Sequence, residues 1–87
     1  MYDIKQTRFM TKVEAKRCLA ISETNLKHII SKGLMVPLIS LGERSVGFIE
    51  QEVHHIMAAR IYGKSNEEIQ QLVQDLVAHR KSLSLVA

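Results

Sequence analysis

Thr11-Lys-Val-Glu-Ala-Lys-Arg-Cys-Leu-Ala-Ile-Ser-Glu-Thr-Asn-Leu-Lys-His-Ile-Ile-Ser-Lys-Gly33 decides how the rest of the chain is read. Thr11 is placed to cap a helix, and Glu14 completes a capping box by reaching back to the cap's own N–H. Ser22 repeats the cap signal only about three residues after the first helix should end, and Gly33 is placed to stop the second. Two short helices joined this tightly cannot lie antiparallel and must cross steeply, the arrangement of a helix-turn-helix. In that motif the second helix is pushed outward, where it can enter a DNA major groove.

Working outward, the spacing predicts helix 1 over residues 12–19. Ala15, Cys18 and Leu19 then share an inward face, with Lys12, Lys16 and Arg17 outside. Cys18 is accordingly expected as a packed core thiol. Ile21 plugs the turn. Helix 2 is expected over residues 23–32, burying Leu26, Ile29 and Ile30 and presenting Glu23, Thr24, Lys27, His28 and Ser31. Pro37 blocks a helix after Gly33, so residues 38–41 and 46–49 read as two strands. The turn Gly42-Glu-Arg-Ser45 joins them into a β-hairpin wing. Helix 3 is expected over residues 51–62, with Val53, Ile56, Met57 and Arg60 or Ile61 inward and Gly63 ending it. Ser65-Asn-Glu-Glu68 is a second capping box and opens helix 4, from residue 66 to about residue 80. Its stripe of Ile69, Leu72, Val73, Leu76 and Val77 follows the i, i+3, i+4, i+7, i+8 pattern. The tail, residues 82–87, is left to fray or dock.

The expected fold class is therefore mostly α with a small β-hairpin: a winged helix-turn-helix over residues 8–62, and a C-terminal helical extension over residues 63–87. A chain of 87 residues with an apolar fraction of 46% suits one domain with a modest core. No apolar run approaches ~18 residues, so no membrane span is expected. The lone cysteine, Cys18, excludes an internal disulfide and makes a cytoplasmic location the default, nucleoid-associated if the chain binds DNA. Residues 1–49 carry eight Lys/Arg against four Asp/Glu, a net +4, whereas residues 50–87 carry four against five, a net −1. The positive half is the one with the helix-turn-helix, which would orient the domain on a polyanion.

Thr24, Asn25, Lys27 and His28 are the groups best placed for double-stranded DNA, since short polar side chains at a helix start reach phosphates or base edges. Arg44, beside Ser45 at a glycine-flanked hairpin tip, suits a phosphate or minor-groove contact. Lys12, Lys16 and Arg17 would add backbone contacts. For each of these the alternative is an ordinary solvated surface. His54 and His55 are adjacent and point about 100° apart on a helix, and His28 and His79 are distant, so no metal site is expected. Neither a phosphate-binding glycine loop nor a nucleophile–base set is legible, so neither a cofactor nor an enzymatic activity is expected.

Several stretches resemble the AlpA family of prophage regulators, itself similar to MerR-like and excisionase winged helix-turn-helix proteins. Residues 11–22 look like that family's first helix and turn, and residues 29–33 like the end of its recognition helix. Residues 41–53 resemble its wing and third helix, and residues 59–63 with 65–69 its C-terminal extension. The match runs over roughly residues 8–81 and implies sequence-specific DNA binding. By position Ser22, Glu23, Thr24, Asn25, Lys27 and His28 match the DNA-facing segment, and Arg44 and Ser45 the wing tip. The chain departs from the pattern in carrying Glu23 where a basic residue is usual, and Lys27 and His28 for a tyrosine and an arginine. Ala20 replaces a glycine, Phe48 a tryptophan, and the proline-rich approach to the wing is reduced to Met35-Val-Pro37-Leu. Glu23 puts a carboxylate near phosphates and should weaken binding unless it reads a cytosine amino group.

The expectation is a transcriptional regulator of a prophage or mobile element. The alternatives are an excisionase-type recombination factor, or a protein-interaction module such as an antirepressor or a partner of an integrase or other phage protein. Helix 4 either braces its own domain or pairs with a second copy in a homodimer through Ile69, Leu72, Val73, Leu76 and Val77.

Overall fold

The computed structural model describes residues 2–84; residues 85–87 of the expected tail lie outside the described residues. Within them the chain is mostly helical, with a small three-stranded antiparallel sheet. A 3-10 turn over Ile4–Gln6 leads into β1 (Phe9–Thr11), α1 (Lys12–Leu19), α2 (Glu23–Ser31), β2 (Ile39–Gly42), β3 (Ser45–Ile49), α3 (Glu50–Tyr62) and α4 (Asn66–Ser84).

The capping signals act as the residues predict. Thr11 Oγ1 accepts from the Glu14 N–H at 3.1 Å, and Glu14 Oε1 accepts from the Thr11 N–H at 3.3 Å. Ser65 and Glu68 repeat the exchange at the start of α4, at 3.2 and 3.0 Å. Three helix ends are closed by the same six-to-one backbone bond: Ile21 N to Lys16 O, Leu34 N to Ile29 O and Lys64 N to Ala59 O. Each needs one left-handed residue, and two of the three are glycines, Gly33 at φ +73° and Gly63 at φ +91°. The third is Ala20 at φ +56°. A left-handed L-residue costs about 1–2 kcal/mol, partly offset in Ala→Gly by the looser unfolded chain at about 0.4–1 kcal/mol. Ala20→Gly is therefore expected to stabilise the fold by roughly 0.5–1 kcal/mol in urea unfolding. Destabilisation would mean the turn relaxes away from this conformation.

The sheet has one strand more than the hairpin expected. β3 is central, paired with β2 on one side and β1 on the other, with Phe9 opposite Ile49, Met10 opposite Phe48 and Thr11 opposite Gly47. Three residues are too few to display an alternation, and β1 exists only because β3 offers a partner edge. The β2–β3 register slips between Ser40 and Gly42, leaving Glu43 and Arg44 at the tip with Arg44 at φ +61°.

One face of the sheet turns Met10 and Phe48 into a single core with Ala15, Leu26, Met35, Val36, Val53, Ile56 and Ala59. From α4, Ile69, Val73 and Leu76 bury in that same core, while Leu72 and Val77 pack against it half-buried. Two expectations are corrected. Cys18 is exposed, not a core thiol. The buried side of α1 centres on Ala15 and Leu19 and is flanked by the half-buried stems of Lys12 and Lys16, which turns Cys18 toward solvent. On α3 the inward positions are Glu52, Val53, Ile56 and Ala59, whereas Arg60 is exposed and Ile61 is 85% exposed. The helix outruns the core, so its last turn stands clear.

Residues ahead of β1 tie the two long helices together. The cap residue of α3, Ile49, has no side chain able to cap. Arg8 O accepts from the Glu50 N–H at 2.8 Å and Thr7 Oγ1 from the Gln51 N–H at 3.2 Å instead. Glu52 is wholly buried, with Arg80 Nε at 3.1 and 2.9 Å from its two oxygens and Nη2 at 2.5 Å. Tyr2 Oη donates to the same carboxylate at 2.7 Å, and Arg80 Nη2 also reaches Pro37 O at 3.0 Å. Burial and the Glu52 contact push the Tyr2 hydroxyl pKa up.

Candidate functional site

The outward face of α2 carries Thr24, Asn25, Lys27 and His28, all exposed, because Leu26 on the opposite face is fully buried and fixes the helix's rotation. Ser22 is occupied as the cap, its Oγ accepting from the Asn25 N–H at 3.2 Å. Leu19, Ile21, Asn25, His28, Ile29 and Arg60 line a shallow hollow of about 330 Å³ beside this face.

Glu23 lies apart from the simple surface residue that its position suggests. Lys12 Nζ is 2.6 Å from Oε2, and Lys16 Nζ is 3.1 Å from Oε1. The ion pair with Lys12 and then the hydrogen bond from Lys16 hold its carboxyl below the ordinary carboxylate range, so it is ionised at neutral pH. Two of the three α1 cations expected at a backbone are thus engaged within the chain. Arg17 is exposed near Glu14. Arg8, in the basic half, pairs with Glu50 at 2.5 Å. Lys27, Lys32, Arg44 and Arg60 have no ion-pair partner among the described residues.

Arg44 and Ser45 stand exposed at the hairpin tip, and among the described residues no hydrogen bond or ion pair joins their side chains to α2. The structure therefore gathers Lys12, Lys16, Ser22 and Glu23 at the α1–α2 junction, and leaves the remaining candidates as single exposed groups. The Lys–Lys–Glu cluster was missed from sequence, although two signals were present. Lys12 and Lys16 are one turn apart, and Glu23 directly follows a cap joined to α1 by a very short turn. The five α4 residues considered for a homodimer are those already described in or against the monomer's core.

Neither a family model nor a solved structure matches the chain significantly. A curated relative does: an uncharacterized protein, ORF88, of Enterobacteria phage P4. It is 36% identical over 62 residues, which are 71% of this chain and 70% of the phage protein. The chain belongs to that protein's family. A stretch of 62 residues in a chain of 87 must take in residues 26–62, and so the hairpin and α3. Among the described residues of this family member no three His, Cys, Asp or Glu side chains meet to hold a metal. No helix there is long and apolar enough to cross a membrane.

Proposed function

We propose that the chain is a sequence-specific DNA-binding regulator of transcription in a prophage or other mobile element, built as a winged helix-turn-helix. α1 and α2 form the helix-turn-helix, α2 lies in the major groove, and the β2–β3 hairpin is the wing on the backbone or minor groove. The observation that carries this reading is the face of α2. Thr24, Asn25, Lys27 and His28 stand clear on a helix anchored by Leu26 after a turn of a few residues. Arg44 at the hairpin tip, the net +4 over residues 1–49 and the phage relative support it. The resemblance to AlpA-type regulators points the same way, and an excisionase-type role would use the same surfaces. The protein performs no chemistry on this reading. Occupancy of a promoter or attachment site is the whole effect.

A second reading, a protein-interaction module such as an antirepressor or integrase partner, draws on one feature. Ile61 and Tyr62 are 85% and 79% exposed at the end of α3, and an apolar pair so placed suits a protein surface.

Fluorescence anisotropy against duplex DNA over a salt series separates the two, because phosphate contacts release counterions and apolar contacts do not. Lys27→Gln with Arg44→Asn is the informative variant, since asparagine tolerates the left-handed backbone at residue 44. Affinity is expected to fall on the order of tenfold or more, with the salt slope shallower by about two. Unchanged binding in this variant would remove both residues from the contact surface. Salt-independent binding, or none, would favour the protein-partner reading.

A further inference from the structure

We propose that Glu23 is an internal counter-ion that holds Lys12 and Lys16 off the DNA backbone, and so sets how strongly this surface binds DNA of any sequence. The inference rests on the DNA-binding reading above.

The geometry is that of a filled anion site. Lys12 and Lys16 lie one turn apart on α1 and converge on the first residue of α2, each taking a different oxygen of the same carboxylate. The lysine side chains keep only 30% and 26% of their exposure and that of Glu23 41%, so the cluster is settled against the α1–α2 junction while its rim remains open to solvent. The start of α2 carries the positive end of the helix dipole, which favours an anion there. In a helix-turn-helix on DNA this junction approaches the phosphates. A phosphate arriving there finds one of the cluster's two positive charges already offset and must compete with a tethered carboxylate.

Half-exposed ion pairs are weak, so Glu23 competes with phosphate without closing the site. Its effect falls on the part of binding that ignores sequence, because that part arises from cations exchanging counterions for phosphates. Asn25 and Lys27, which would read bases, stand outside the cluster. Glu23 therefore lowers affinity for every sequence by a similar factor and leaves discrimination to the base contacts.

The test is Glu23→Gln against a short random-sequence duplex by anisotropy over a salt series. Ser22 still caps α2 in this variant, and Glu23→Ser serves as a second charge deletion if the glutamine disturbs the helix. The plot of log affinity against log salt should steepen by about one, and affinity at low salt should rise by about tenfold. Adding Lys12→Gln and Lys16→Gln to Glu23→Gln should return the slope to that of the unaltered protein or make it shallower still. Equal binding by Glu23→Gln and the unaltered protein would overturn the inference and leave the DNA-binding reading standing. A triple variant as tight as Glu23→Gln would also overturn it. Binding by neither protein would overturn both readings together.

Discussion

Gly47→Ala is expected to lower stability by about 3 kcal/mol or more and the melting temperature by roughly 12–24 °C. Gly47 sits at the middle of the central strand, opposite Thr11 of β1 and Ile39 of β2. A β-carbon there would lie 2.5 Å from the Met10 carbonyl oxygen and 2.7 Å from Leu41 Cδ1. Leu41 can rotate, but the carbonyl belongs to β1 and moves only if the strand moves. Met10 and Thr11 hang on that strand, one filling the core opposite Phe48 and the other capping α1. Displacing β1 therefore disturbs the sheet, the core and the first helix at once. A domain of this size is stable by only about 5–15 kcal/mol, so the loss is a large share of the total. The check is thermal unfolding by circular dichroism, with Ser45→Ala, exposed on the same strand, as a near-neutral control. A Gly47→Ala protein that melts with the unaltered one would mean that β1 does not pair as described.

Arg80→Ala is expected to cost about 3–5 kcal/mol, because it strands a carboxylate with no access to water. Glu52 is fully buried and Arg80 meets both of its oxygens. The same guanidinium binds Pro37 O on the approach to β2, so its loss also frees that carbonyl. Tyr2 Oη remains as the one other donor to Glu52 among the described residues. Adding Glu52→Gln to Arg80→Ala should recover part of the loss, since the stranded charge is gone and only hydrogen bonds are missing. Chemical denaturation of both variants reads this directly. A mild effect of Arg80→Ala, under about 1 kcal/mol, would mean that water reaches Glu52 and the pair is of the exposed kind.

Much of the local structure was legible because it depends on neighbours in sequence. The two capping boxes are four-residue patterns, and Thr11 with Glu14 and Ser65 with Glu68 form them as read. The starts of α1 and α4 follow from those boxes and that of α2 from the Ser22 cap, and Gly33 and Gly63 end helices where their left-handed backbone is needed. Leu26 at the base of α2 and the outward set Thr24, Lys27 and His28 follow from helical periodicity alone. For the candidate site, periodicity placed the exposed groups but said nothing of their partners. Glu23 read as a charge pointed at DNA, and it is a charge held by two lysines of another helix.

The sequence by itself determined where α1, α2 and α4 begin, where α2 and α3 end and which face of α2 is apolar, because those are decided by hydrogen bonds and spacing within a few residues. Only the tertiary structure decided the rest. β1 required an edge of β3, seen only once residues 9 and 49 are brought together. The rotation of α1, which exposes Cys18, was set by what lies beneath Ala15 and Leu19. The start of α3 was capped by Thr7 and Arg8 from more than 40 residues away. Arg80 and Glu52, ordinary surface letters in sequence, became a buried pair because α3 and α4 pack side by side. Each of these rests on contacts between residues distant along the chain, and no window of sequence contains both partners.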